Sequence, residues 1–252
     1  MLYRIQTFPS KGAGRWRGLL RSGNMESSVL TPLQQQVLVA LFDNGLADRG
    51  YYLTGGTALS AFYLQHRYSD DLDFFTRKRG LLEEDFRHCN AILTSIGIVV
   101  ASQDITEDYA RLFVYPEDQR DDALKIEFAR DVPAMMAPPD IHNGIVVDSF
   151  EDIAVNKVCT ILSRTESKDF CDLYFILNES HYGLDYLISR AREKEAALDE
   201  EYGILDFATN LLTVKELQFL PRMIKPLTLE QLRAYFVPIA EDFIRRLRPT
   251  GG

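Results

Sequence analysis

Hydrophobic positions along the chain follow two regimes that change over near residue 149. Before that point short β-rich runs alternate with amphipathic stretches, and after it every apolar run has helical spacing. Thr31-Pro32-Leu33-Gln34 is a helix start: Thr as cap, Pro at the first helical position, Gln three residues after the cap. That helix is expected to reach about Ala47. Tyr51 to Leu53 reads as a short strand ended by Gly55-Gly56, followed by a helix over about Thr57 to Gln65. Leu72 to Phe75 reads as strand, and Glu83 to Ser95 as an amphipathic helix with Gly97 just past its end. Ile98 to Ala101, Arg111 to Tyr115 and Leu124 to Phe128 are β-branched and aromatic enough for three further strands. Asp131 to Asp140, with Pro133, Pro138 and Pro139, punctuates the chain before a short strand near Ile145 to Val147. The capping pattern Ser149-Phe150-Glu151-Asp152 then opens about five helices, the last from near Thr228 to Leu247.

This order predicts an α+β protein. Residues 25–148 form a mixed sheet with flanking helices, and residues 149–252 form a helical domain. Residues 1–24 carry Arg4, Lys11, Arg15, Arg17 and Arg21 and no acidic residue. Three readings apply to them: a presequence, a basic arm for nucleic acid, or a disordered extension upstream of a start at Met25. The missing periodic apolar pattern favours the extension.

Composition narrows the class. Of 252 residues 46% are hydrophobic and 26% charged, which is globular usage. No apolar run approaches the roughly 18 residues of a membrane-spanning helix. Cys89, Cys159 and Cys171 make an odd count without a C-x-x-C pair, so neither a disulfide framework nor a zinc site is expected, and a reducing cytoplasmic setting fits. A net charge of −9 excludes a protein that coats polyanions, while leaving room for a locally basic groove.

Candidate chemistry concentrates in Tyr51 to Thr76. Asp71 and Asp73 lie two apart on a strand, so their side chains leave one face with Cα atoms about 7 Å apart. Two such carboxylates suit hard divalent cations, and without a counter-charge they are expensive to bury. The alternative is a solvated acidic strand end that Asp70 extends. Gly55-Gly56-Thr57, between strand and helix, offers close backbone approach, a hydroxyl and unpaired N–H groups to a phosphate. It is equally compatible with a plain tight connection. A dinucleotide-binding G-x-G-x-x-G pattern is not met, since the third glycine is missing. Glu127 supplies a third carboxylate on Leu124–Phe128, sharing its face with Lys125. Lys157 and Arg164, seven apart, fall on one helix face within about 20°, with Ser163 beside them, and Asp169 and Asp172 share a face of the next helix. Arg67 can pair with a carboxylate, contact a phosphate or buttress the turn. His88, His142 and His181 have no ligand spacing and read as surface or structural residues.

Gly55 to Leu59 (G-G-T-A-L), His66 to Phe75 (H-R-x-S-x-D-L-D-F-F) and the Asn156–Arg164 and Lys168–Tyr174 segments resemble the AbiEii/AbiGii-type nucleotidyltransferase toxins, within the DNA polymerase β-like superfamily. The similarity spans roughly Tyr51 to Leu177. It implies a polymerase β-like fold and transfer of a nucleoside monophosphate from a nucleoside triphosphate to an acceptor hydroxyl. On that resemblance Asp71, Asp73 and Glu127 ligate two Mg2+ (or Mn2+) ions, and Gly55, Gly56, Thr57, Arg67, Ser163 and Arg164 bind the nucleotide phosphates. Lys157 neutralises charge as pyrophosphate leaves, and Asp169 or Asp172 orients the acceptor or takes its proton. The superfamily usually carries aspartate where Glu127 stands. The resemblance further implies a transfer RNA 3′ end or a protein hydroxyl as acceptor, and a separate antitoxin as partner. An aminoglycoside-type small-molecule transferase and an inactive nucleotide-binding module are the alternative functions.

Overall fold

The structure, a computed structural model, describes residues 29–79, 82–119, 123–131, 134–199 and 202–247. The basic extension and Pro133 lie outside the described residues. Four helices precede or open the second half of the chain: α1 (Pro32–Asp43), α2 (Gly55–Ala58), α3 (Leu82–Ser95) and α4 (Phe150–Ser163). Four more follow: α5 (Ser167–Glu179), α6 (Leu184–Ala191), α7 (Gly203–Leu212) and α8 (Leu229–Leu247). The strands are β1 (Tyr51–Thr54), β2 (Asp71–Thr76), β3 (Ile98–Ile105), β4 (Tyr109–Pro116), β5 (Leu124–Arg130), β6 (Asp140–His142) and β7 (Ile145–Val147). The architecture is α+β, with one mixed sheet in the order β3-β4-β5-β2-β1-β7-β6. β2 runs parallel to β5 and β1 parallel to β7, while β4 is antiparallel to both of its neighbours, β3 and β5.

Two compact units divide the chain. The first holds the described residues of Met1–Leu53, Asp71–Asp131 and Ile141–Val147, including nearly all of the sheet. Period-two alternation buries Leu72, Phe74, Leu112, Val114, Ile126 and Phe128 on one sheet face. Phe74 stacks on Phe128 with centroids 5.2 Å apart and meets Phe42 of α1 at 6.0 Å, while Tyr51 packs edge-on against Phe128. α1 opens with the expected capping box: Thr31 Oγ1 accepts from the Gln34 amide and Gln34 Oε1 accepts from the Thr31 amide. It stops at Asp43, short of Ala47, because Gly45 N bonds Phe42 O and Leu46 N bonds Leu41 O, a Schellman closure.

The second unit holds Thr54–Asp70 and the described residues of Val132–Asp140 and Asp148–Gly252. Its core is helical, formed by Ile153, Val158, Ile161, Phe170, Leu173, Phe207, Leu211 and Phe236. Ser149 caps α4 by accepting from the Asp152 amide, as its pattern suggests. The division differs from a single cut at residue 148, since residues 54–70 and 132–140 group with the helices. The helix expected over 57–65 is α2 followed by a π-helical turn, Leu59–Leu64. Gln65, in the left-handed region at φ +49°, closes it with its amide on Ser60 O. β6, three residues with two exposed, has no hydrophobic signal in the sequence and escapes the pattern reading.

Candidate active site

Within the first unit, β2 turns Leu72 and Phe74 into the core and Asp71 and Asp73 to the opposite face. β5 alternates in the same way, burying Leu124, Ile126 and Phe128 and leaving Lys125 and Glu127 on the carboxylate side. The parallel register sets Lys125 opposite Asp71 and Glu127 opposite Asp73, so the spacing expected from sequence holds across two strands. Lys125 Nζ lies 2.9 Å from Asp71 Oδ2 and 3.1 Å from Glu127 Oε2. β4 adds two donors to Glu127 Oε1, the Tyr109 hydroxyl and Arg111 Nε at 3.0 Å. Burial opposes ionisation of Glu127. Hydrogen bonds from Tyr109, Arg111 and Lys125 outweigh that cost and pull its pKa down to about 2. The Lys125 ammonium, likewise penalised by burial, is held protonated above its ordinary value by Asp71 and then Glu127.

Carboxylate oxygens from one sheet face are the hard donors that Mg2+ takes, and that ion prefers one or two protein carboxylates with phosphate and water oxygens around it. Asp71 and Asp73 fit this demand. No group of three His, Cys, Asp or Glu side chains among the described residues forms a closed ligand cluster, and Glu127 already gives its oxygens to three donors.

Within the second unit, the glycine turn rests on a buried ion network. Gly55 sits at φ +73°, a left-handed conformation that glycine adopts without a Cβ penalty. A Cβ on Gly56 would lie 2.4 Å from Arg67 Nη2 and 3.0 Å from Ser69 Oγ, so the turn packs directly on the guanidinium. Thr54 Oγ1, at the end of β1, donates to the buried Asp148 carboxylate at 2.9 Å. Thr57 is buried. Arg67 in turn is clamped by Asp172: Nε to Oδ1 at 2.6 Å and Nη2 to Oδ2 at 2.8 Å. Asp172 also pairs with His66 Nε2 at 2.7 Å and Lys157 Nζ at 2.7 Å. Lys157 reaches on to Asp169 at 3.0 Å, and Arg164 Nε meets the other Asp169 oxygen at 2.9 Å. Both aspartates are wholly buried and Lys157 nearly so.

The electrostatics follow from that packing. Burial works against a charged Asp172, yet Lys157 and Arg67 hold its pKa well below the ordinary carboxylate range. Burial likewise opposes the charged Lys157, and Asp172 and Asp169 raise its pKa despite it. Burial lowers the His66 pKa, and the Asp172 partner does not fully offset this, so the ring is neutral at pH 7. Asp169 and Asp172 share a face of α5, as spacing suggests. Arg164, however, has left α4: its backbone is extended at φ −152°, and it meets Lys157 at Asp169 rather than along a helix stripe. Ser163, at the last turn, donates to Thr160 O. Sequence reasoning missed Tyr109, Arg111 and the ion pairs of Lys125. Period-two spacing of Tyr109 and Arg111 is the signal that could have found the first two.

A family model described as nucleotidyl transferase AbiEii toxin, type IV toxin–antitoxin system, matches residues 36–249. An uncharacterized protein of Aquifex aeolicus (strain VF5) is 27% identical over 219 residues, covering 85% of this chain and 94% of its own length. JHP933 from Helicobacter pylori is similar in structure with TM-score 0.53 and 23% identity, over 85% of this chain and 90% of that one. MenT4, a nucleotidyltransferase toxin from Mycobacterium tuberculosis H37Rv, gives TM-score 0.55 at 16% identity, over 86% and 83%. At such identities these two structures speak for a shared fold. The match over residues 36–249 takes in both units, the D-x-D strand, the glycine turn and the buried ion network, and by it the chain belongs to the AbiEii nucleotidyltransferase toxin family.

Proposed function

We propose that this protein is a divalent-metal-dependent nucleotidyltransferase, moving a nucleoside monophosphate from a nucleoside triphosphate to an acceptor hydroxyl with release of pyrophosphate. The observation that carries the reading is the pair Asp71 and Asp73 on one face of β2, in register beside β5 within the family's matched span. Asp71 and Asp73 would hold Mg2+, with Glu127 as a further ligand once its bond to Lys125 is given up. Bound there, the metal supplies charge stabilisation at the triphosphate. Gly55, Gly56 and Thr57 are assigned to the phosphates, since a glycine turn lets the backbone approach an anion closely.

The buried network takes a different part. Lys157, Asp169, Asp172 and Arg67 serve in this reading as positioning residues: they lock the guanidinium on which the Gly56 turn rests. A wholly buried carboxylate that accepts from four donor atoms and is held ionised is a poor proton acceptor, which argues for orientation over acid–base work at Asp172. Arg164, half-exposed at its side chain, keeps surface from which to meet a phosphate, with Ser163 next to it. The family's description, a toxin of a type IV toxin–antitoxin system, supports a cognate antitoxin as partner. A cytoplasmic setting and a transfer RNA 3′ end or a protein hydroxyl as acceptor are part of this proposal and rest on the sequence resemblance. Transfer of label from each of four α-labelled triphosphates to total cellular RNA or protein tests the proposal. Transfer by the wild type and its loss in Asp73→Ala is the expected result; equal transfer by both contradicts it.

A further inference from the structure

Lys125 has no part in the roles assigned so far, yet its ammonium stands among the carboxylates of the sheet face. β-strand alternation and the parallel register fix its place. It lies opposite Asp71, two residues before Glu127, and on the same face as both. Its Nζ makes ion pairs with each, at 2.9 and 3.1 Å. On the other flank Arg111 and Tyr109 take Glu127 Oε1, so Oε2 is the oxygen that Lys125 occupies. We propose that Lys125 is a resident counter-cation, holding Asp71 and Glu127 together and competing with a divalent ion for the same oxygens. This rests on the reading of Asp71 and Asp73 as a metal-binding pair.

The charges give the direction. Asp104 stands opposite Arg111 on the same face. Among the described residues of these strands, four carboxylates (Asp71, Asp73, Asp104 and Glu127) against two cations (Lys125 and Arg111) leave a net −2, which becomes −3 without Lys125. A divalent ion seated at Asp71 meets an ammonium at contact distance from the same carboxylate, and like charges that close repel even under partial solvation. Lys125 therefore has to yield for Asp71 and Glu127 to become ligands. The consequence is a face with weak affinity for a free divalent ion, loaded most readily when the ion arrives with a triphosphate that supplies its own oxygens. A neutral side chain at 125 removes the competitor and leaves every carboxylate in place.

The test is a titration of the full chain with Mn2+ alone, following free Mn2+ by electron paramagnetic resonance. Wild type, Lys125→Met, Lys125→Gln and Asp73→Asn are compared, each checked for a cooperative thermal melt, and the two neutral variants guard against a folding failure in one. The expected result is a Kd for Mn2+ lowered about tenfold or more in the Lys125 variants, a size set by removing one unit charge at contact distance, and raised in Asp73→Asn. A Kd unchanged or raised in the Lys125 variants, with Asp73→Asn still impaired, overturns the competition and leaves the metal reading standing. Mn2+ binding indifferent to Asp73→Asn overturns the metal reading and the competition together.

Discussion

Replacing Asp172 by asparagine removes a negative charge from a place where Arg67 and Lys157 remain protonated. The carboxylate accepts two bonds from Arg67, at 2.6 and 2.8 Å, and pairs with Lys157 at 2.7 Å and His66 at 2.7 Å, with no solvent access. The amide nitrogen of asparagine would turn a donor toward one of these donors. Lys157 keeps Asp169, so the loss falls mainly on Arg67, which among the described residues would still donate from Nη1 to the Tyr68 carbonyl at 2.9 Å. Breaking a buried ion pair from one side costs about 3–5 kcal/mol. For a chain of this size that corresponds to a melting temperature lower by roughly 6–20 °C. Urea and thermal melts followed by the far-ultraviolet helix signal measure it. A double-mutant cycle with Arg67→Met checks the cause: the second substitution should cost about 2 kcal/mol less in the Asp172→Asn background than in the wild type. A loss below about 1 kcal/mol, the value of an exposed pair, together with additive effects, would refute the picture of a buried lock.

Gly56→Ala drives a methyl group to 2.4 Å from Arg67 Nη2, and because Asp172 clamps that guanidinium the turn itself has to move. The expected loss is about 1–3 kcal/mol, with a larger fall in transfer activity than in stability; a variant that melts and turns over like the wild type contradicts the close packing. The His66 pKa is lowered in the folded protein, so the unfolded chain binds the extra proton and the stability from this residue is present above the unfolded value, about 6.5, and lost as pH falls below it. Urea midpoints at pH 7.5 and 5.5 should differ more for the wild type than for His66→Gln, and equal differences contradict this.

Much of the fold is written in local patterns. β2 and β5 carry strict alternation, so the common face of Asp71 and Asp73 follows from period two alone, and the caps Thr31 and Ser149 mark their helices by residue type. The sites where local reasoning falls short are those set by distant partners. Arg67 and Asp172 are 105 residues apart, and no spacing rule announces their pairing. Seven-residue spacing suggested a shared helix stripe for Lys157 and Arg164, but α4 ends at Ser163 and Asp169 brings the two together instead. The acceptor-orienting role expected of Asp169 and Asp172 came with the family resemblance; their complete burial, a tertiary outcome, is what redirects the reading toward positioning. Glu127 is legible as a third carboxylate beside Asp71 and Asp73, whereas the donors that hold it, Tyr109 and Arg111, are brought to it from β4 by tertiary pairing. The π-helical turn Leu59–Leu64 has a comparable origin, since Ser60 Oγ donates to Arg67 O at 2.5 Å and fixes a closure that propensity does not encode.

The central claim is that Asp71 and Asp73 hold the divalent ion through which nucleotidyl transfer proceeds. Its most direct test is the rate of label transfer from α-labelled triphosphate across a Mg2+ titration, with excess chelator as the zero point, for wild type and Asp73→Asn proteins of matched melting temperature. The account predicts transfer that is absent in chelator, rises with Mg2+, and falls in Asp73→Asn by about 10³-fold or more, the scale set by losing several kcal/mol of charge stabilisation. Transfer that persists in chelator, or an Asp73→Asn protein within tenfold of the wild type at saturating Mg2+, would contradict it.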